Sequence, residues 1–151
     1  QIKDRHNGNI LIDSDGHLIH IDFGFILTTS PGNINAENVP FKFTQEYMEL
    51  MGGPQGSMFS YFTGLLRCGY LELRKHSEKI ISLVEIMSMD TTLPCFANVS
   101  INAAEALKER FNLGMTEKQV DEFLSNMVDQ AYDSWRTRYY DRFQYMTNNI
   151  L

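Results

Sequence analysis

No stretch of the sequence approaches the roughly 18 uninterrupted apolar residues that a membrane-spanning helix needs, so any membrane contact must be local. Cysteine is scarce: Cys68 and Cys95 stand far apart, match no metal or redox spacing, and fit a reduced cytosolic compartment. Positive charge is also short. Thirteen Lys and Arg against nineteen Asp and Glu give a net charge of −6, which argues against nucleic acid as the main partner. Repeats, low-complexity runs and a second domain boundary are missing. The opening Gln1-Ile2-Lys3-Asp4 has neither an initiator Met nor the features of a signal peptide, and reads as the start of a fragment. What remains is an ordinary globular segment: 151 residues, 43% hydrophobic, with four prolines, enough for one compact unit.

Within it, one stretch carries chemistry. Asp4-Arg5-His6-Asn7-Gly8-Asn9 is followed, thirteen residues after Asn9, by Asp22-Phe23-Gly24. Between them lie two apolar runs broken by Asp15-Gly16, a strong hairpin signal. With Asp15 and Gly16 as a two-residue loop, Ser14 faces His17, and the register runs Asp13 with Leu18, Ile12 with Ile19, Leu11 with His20 and Ile10 with Ile21. Asn9 then faces Asp22. Opposed residues on antiparallel strands have Cβ atoms about 4.5 to 5.5 Å apart, so an amide oxygen and a carboxylate can converge on one cation, and oxygen ligands suit Mg²⁺. Asp13-Ser14-Asp15-Gly16 imitates the start of a calcium loop, but its glycine comes too early and Gly24 stands where the closing Glu belongs. It reads as a turn.

After Phe25-Ile26-Leu27 comes a long polar loop, Thr28 to Pro40. From Phe25 to Phe43 the only charged residues are Glu37 and Lys42, so no basic cluster is present to pair with several phosphates. The remainder reads as helices. Thr44 is placed to cap a helix from Gln45 to about Met51, stopped by Gly52-Gly53-Pro54. A second runs from Ser57 to near Lys75, and Ser77 caps a third from Glu78 to Met89. Asp90 to Ser100 is a connector. Asn102 caps a short helix from Ala103 to Phe111. Thr116-x-x-Gln119 reads as a capping box opening one long helical segment from Glu117 to about Thr147. Near its end, Arg136, Arg138 and Arg142 are interleaved with five aromatics including Trp135, a composition suited to a lipid headgroup layer, although packing against the domain explains it equally well.

The order Asp-Arg-His-x-x-Asn with Asp-Phe-Gly downstream resembles the phosphatidylinositol 3- and 4-kinase family; ordinary protein kinases carry His-Arg-Asp instead. Further segments, among them Lys42-Phe43-Thr44, Arg74-Lys75-His76, Leu93-Pro94-Cys95-Phe96 and Tyr140-Asp141-Arg142-Phe143-Gln144-Tyr145, extend the resemblance along the whole chain and are similar to the type III beta branch of the 4-kinases. The resemblance implies an α+β, mostly helical fold: the C-terminal lobe of a lipid-kinase catalytic domain, with an N-terminal β-hairpin followed by a helical bundle. It implies a catalytic loop at residues 1–9, an activation loop at 22–44 and a helical part at 45–151, with the N-lobe absent. The implied activity is ATP-dependent phosphorylation of phosphatidylinositol at the inositol 4-hydroxyl. A 3-kinase, a related protein kinase and a non-catalytic helical module are the alternatives.

In that family's terms, Asn9 and Asp22 hold Mg²⁺, or Mn²⁺ in its place, on ATP. Asp4 and His6 work at the hydroxyl, with either as the base. Arg5 braces the loop by ion pairs. Phe23, Gly24 and Lys42 belong to the activation loop and substrate contact, with Gly24 as a pivot. Trp135, Arg136, Arg138 and Arg142 meet the membrane. The implied partners are phosphatidylinositol in membranes and, through regions outside this chain, a small GTPase or calcium-sensor protein; the implied location is cytoplasmic, peripheral to Golgi or other internal membranes. No Gly-rich loop or strand lysine for the ATP phosphates precedes Asp4, so the segment alone is expected to be inactive.

Overall fold

The computed structural model describes residues 2–31, 39–96 and 102–150. The chain begins with a short extended piece in which Ile2 bridges Ile26, followed by a single 3₁₀ turn at Asn7–Asn9. Strands β1 (Ile10–Ile12) and β2 (Leu18–His20) form an antiparallel hairpin. Six α-helices follow among the described residues: α1 (Gln45–Leu50), α2 (Ser57–Lys75), α3 (Ser77–Ser88), α4 (Ala103–Arg110), α5 (Glu117–Ala131) and α6 (Trp135–Asn148). This is the mostly helical architecture with an N-terminal hairpin that the sequence implied. Of the expected 22–44 loop, residues 32–38 lie outside the described residues, as do 97–100 of the connector.

The hairpin register differs by one from the sequence expectation: Ile10 pairs with His20, Leu11 with Ile19 and Ile12 with Leu18. The cause is the turn. Asp13 N donates to His17 O at 3.1 Å and Gly16 N to Asp13 O at 3.1 Å, leaving three residues, Ser14, Asp15 and Gly16, in the loop. Gly16 has φ +88°, the left-handed residue that completes a three-residue hairpin after a type I turn. The Asp13 carboxylate selects this geometry by accepting from Asp15 N (3.0 Å) and His17 N (2.8 Å), with His17 Nδ1 at 2.9 Å. One extra loop residue moves every later partner, so Ile21 N, not Asp22, meets Asn9 through its carbonyl at 3.1 Å.

Helix starts follow the expected caps in part. Asn102 Oδ1 accepts from Ala104 N at 2.9 Å, and Thr116 with Gln119 forms a complete capping box. Thr44 occupies the cap position of α1, but its hydroxyl makes no capping hydrogen bond to a backbone amide. Ser77 is the first residue of α3, with His76 at the cap.

The larger departure is at the C-terminus, where the single helix expected from 117 to 147 is two. Tyr132 leaves helical geometry at ψ 126°, and Asp133 takes φ +41°. The Asp133 amide then donates to Phe43 O at 2.9 Å, and Tyr132 bridges Phe43 in parallel. A backbone amide that would have continued the helix is thus satisfied by the end of the 39–43 segment. Phe43, 3% exposed, is also the centre of the core: it packs with Met48, Val128 and Ala131, and its ring lies 5.5 Å from Phe62, 5.9 Å from Phe41 and 5.9 Å from Tyr132. Across the bundle, Arg67 of α2 reaches Asp121 (2.6 Å) and Glu117 (2.9 Å) of α5, an exposed pair of contacts that orients more than it stabilises.

Phe43→Ala should lower unfolding stability by about 3–5 kcal/mol in denaturant titrations; a loss under about 1 kcal/mol would mean that Phe43 is not the hub described. The Asp13 carboxyl is held below the usual aspartate range, first by the His17 backbone amide and then by the His17 side chain. Because the folded value is the lower one, the turn's stabilisation is complete above the unfolded pKa and is lost as pH falls through the folded one. The His17 amide resonance should therefore follow an acid titration with a midpoint below about 3.9, and a midpoint at or above that value would remove the carboxylate from the turn.

Candidate active site

The residues singled out in the sequence converge where the 3₁₀ turn, the end of β2 and α6 meet. Arg5 organises them. It is 9% exposed, and its guanidinium collects backbone carbonyls: Nε donates to Lys3 O (2.8 Å), Nη1 to Ile21 O (2.8 Å) and Asn9 O (3.2 Å), and Nη2 to Asp22 O. Bracing by Arg5 is thus real, but it acts through carbonyls where ion pairs were expected. The guanidinium fork can serve several acceptors at once, and it ties the loop holding Asp4 to the segment holding Asp22 without engaging either carboxylate.

Asp4 and Asp22 both stand on left-handed backbone, at φ +61° and +55°. Asp4 Oδ1 accepts a short hydrogen bond from the Tyr140 hydroxyl of α6 and lies 3.8 Å from His6 Nε2. His6 is 8% exposed, and its Nδ1 is buried with no partner among the described residues. Asn9 is buried; its Nδ2 donates to Asp4 O at 2.9 Å, which leaves Oδ1 as an oxygen donor. Asp22 is exposed, with Oδ1 accepting from Gly24 N at 3.1 Å and Oδ2 open to a ligand. A Cβ at position 24 would come within 3.3 Å of Asp22 Oδ1, so the glycine permits this close turn. Phe23 is 53% exposed. The direct opposition of Asn9 and Asp22 expected from the two-residue turn is not what forms: Asn9 faces Ile21, and Asp22 follows one position on. The two residues are tied instead by their backbone, through Arg5, which holds the main-chain carbonyls of both.

Downstream, the first part of the 22–44 segment is pinned. Thr28 Oγ1 donates to Cys95 O (2.8 Å), and Arg110 Nη2 of α4 donates to Leu27 O (2.6 Å), with Leu27 at φ +55°. Lys42, expected to meet substrate, is committed elsewhere. Its side chain is 7% exposed, and Nζ donates to both Asp141 oxygens and to Asn7 Oδ1, each at 2.7 Å. It ties α6 to the loop.

On α6, Trp135 is 62% and Tyr139 63% exposed, with Phe143 (48%) and Met146 (73%) continuing the same stripe. Arg136 stacks 5.0 Å from the Trp135 ring centroid, Arg138 pairs with Asp133 at 3.0 Å, and Arg142 is exposed. The inward face carries Tyr140, Asp141 and Gln144. These had drawn no separate attention in the sequence, although polar residues at 140, 144 and 148 recur every four positions opposite an aromatic stripe, the spacing of one helix face.

The family profile described as "Phosphatidylinositol 3- and 4-kinase" matches residues 1–98. Over all 151 residues the chain is 50% identical to phosphatidylinositol 4-kinase beta of Danio rerio and 49% identical to that of Sorex araneus and of Bos taurus. The alignments cover 100% of this chain and 18%, 19% and 18% of those relatives, so it spans about a fifth of their length.

Arg5→Lys should cost about 2–4 kcal/mol in unfolding stability, because one ammonium cannot serve the four carbonyls and leaves buried acceptors unpaired. An unchanged denaturation midpoint would show that the loop does not hang from this guanidinium.

Proposed function

The chain belongs to the phosphatidylinositol 3- and 4-kinase family, and we propose that it is the C-terminal part of a catalytic domain that transfers the ATP γ-phosphoryl group to the 4-hydroxyl of phosphatidylinositol. The observation that carries this reading is identity of about 50% with phosphatidylinositol 4-kinase beta along the entire chain. In this reading residues 1–9 are the catalytic loop, 22–44 the activation loop and 45–151 the helical part of the lobe.

Phosphoryl transfer asks the protein for positioning and charge neutralisation more than for covalent chemistry. The donor set fits a divalent cation: Asn9 Oδ1 and the Asp22 carboxylate are hard oxygen ligands, and Mg²⁺ is commonly held by only one or two protein groups with phosphate oxygens beside them. Mn²⁺ fits the same donors. Bound there, the ion would neutralise charge on the ATP phosphates. Asp4 and His6 form the polar pair that meets the inositol hydroxyl. With Oδ1 of Asp4 engaged by Tyr140, Oδ2 orients the hydroxyl and accepts its proton late, while His6 supplies a ring nitrogen to the transferred phosphate.

The charge of the activation loop supports an unphosphorylated inositol ring. Its one lysine is held by Asp141, which leaves no basic group from Phe25 to Phe43 to pair with ring phosphates. Trp135, Arg136, Arg138 and Arg142 on the outward face of α6 are proposed to rest at the headgroup layer of an internal membrane such as the Golgi, a peripheral location that fits the absence, among the described residues, of any helix long and apolar enough to cross a bilayer. A small GTPase or calcium-sensor protein would act through other regions of the whole protein.

With the whole protein, ATP and phosphatidylinositol vesicles, the product should be phosphatidylinositol 4-phosphate. Asp22→Ala should reduce turnover by at least about 10²-fold with an unchanged melting temperature. Phosphate at the 3-position, on protein only, or on no acceptor would replace this reading by a 3-kinase, a protein kinase or a non-catalytic module respectively.

A further inference from the structure

We propose that Tyr140 is a positioning residue for Asp4, and that a polarised column of side chains on α6 directs its hydroxyl proton to the catalytic carboxylate. The inference rests on the kinase reading above and adds to it a residue outside the two sequence motifs.

The column is read from its far end. Asn148 Nδ2 donates to Gln144 Oε1 at 2.6 Å, which fixes the orientation of the Gln144 amide and turns its Nε2 toward Tyr140. Gln144 Nε2 donates to the Tyr140 oxygen at 2.9 Å. A tyrosine hydroxyl has a single proton, and an N–H directed at its oxygen keeps that proton from pointing back toward Gln144. It points to Asp4 Oδ1. Each bond in such a chain polarises the next, and Gln144, 8% exposed, is shielded from the water that would compete with it.

The arrangement answers a need of the loop. Asp4 sits on left-handed backbone, and the loop's main cation, Arg5, is occupied with carbonyls, so neither backbone preference nor an ion pair with Arg5 sets the Asp4 side chain. The Tyr140 hydroxyl engages Oδ1, while Oδ2 accepts from Asn9 Nδ2 at 3.5 Å, so the two oxygens of the carboxylate are held from different sides. A second tie keeps the two pieces in register: Lys42 Nζ bridges Asp141, next to Tyr140, and Asn7 of the loop at 2.7 Å each. The chain end closes on the same place, since a Cβ added at Gly8 would come within 3.2 Å of both the His6 ring and Ile150.

The test uses the whole protein with ATP and phosphatidylinositol vesicles. Tyr140→Phe keeps the ring and removes the hydroxyl; kcat should fall about ten-fold, the size expected for one hydrogen bond to a charged group, while KM for ATP and for lipid stays unchanged. Gln144→Glu keeps the shape but presents only acceptors to Tyr140, turning its proton away from Asp4, and should reproduce the loss in kcat without a fall in melting temperature. In an Asp4→Asn background neither change should reduce activity further. Wild-type kcat in both variants, alongside an inactive Asp4→Asn, would overturn the inference and leave the kinase reading standing; so would a loss shared equally by kcat and both KM values, or one that persists in the Asp4→Asn background. If Asp4→Asn itself retains wild-type turnover, the reading of the catalytic loop fails, and this inference fails with it.

Discussion

The hydrogen bond from the Asp133 amide to the Phe43 carbonyl is the constraint on which the arrangement of the site depends. Without it, the apolar pattern from Glu117 onward would continue as one rod, and the inward face of the last helix would not return to the N-terminal loop. With it, the chain turns at Tyr132 and Asp133, and α6 comes back across the 3₁₀ turn at Asn7–Asn9. The same Phe43 whose carbonyl accepts this bond has its ring at the centre of the aromatic core. Core packing and site assembly are therefore one event: the residue that anchors the fold also sets where Tyr140 and Asp141 arrive.

A second economy lies in Arg5. A buried guanidinium is usually satisfied by a carboxylate, and here Asp4 is adjacent in sequence while Asp22 is brought close by the hairpin. Had it paired with either Asp4 or Asp22, that group would have been withdrawn from chemistry and its charge neutralised. Carbonyl dipoles satisfy the guanidinium instead, so it gathers Lys3, Asn9, Ile21 and Asp22 by their backbone and takes up neither carboxylate. Lys42 plays the converse part. Its charge is paired with Asp141, which makes it a fastener between α6 and the loop.

Much of this was legible before any coordinates. Asn102 and the Thr116/Gln119 box announce their helices because a side-chain oxygen three residues or fewer from an orphan amide is a local device, complete within the sequence that encodes it. The Asp4-to-Asn9 and Asp22-to-Gly24 motifs could be singled out for the same reason: their spacing is short. What could not be read is decided by partners far away. The hairpin register turned on the Asp13 carboxylate choosing a three-residue loop over a two-residue one, a competition between two permissible turns that differ by one hydrogen-bonded pair. The helix break carries neither glycine nor proline; its signal is a carbonyl 90 residues upstream, at Phe43. Lys42 and Tyr140 found their roles only when α6 had been bent back to meet them.

The left-handed backbone at Asp4 and Asp22 has a further consequence. An L-residue in that conformation gives up roughly 1 kcal/mol that glycine would not, and the cost falls on the two carboxylates assigned to phosphoryl transfer. A library of this chain sorted for robust folding alone would drift toward glycine or asparagine at both positions, and in doing so would discard the two carboxylates proposed for phosphoryl transfer while stabilising the fold. Thermal tolerance and the proposed chemistry are opposed here at two addressable residues, so any effort to harden this chain has to draw its gains from the bundle and leave the loop strained.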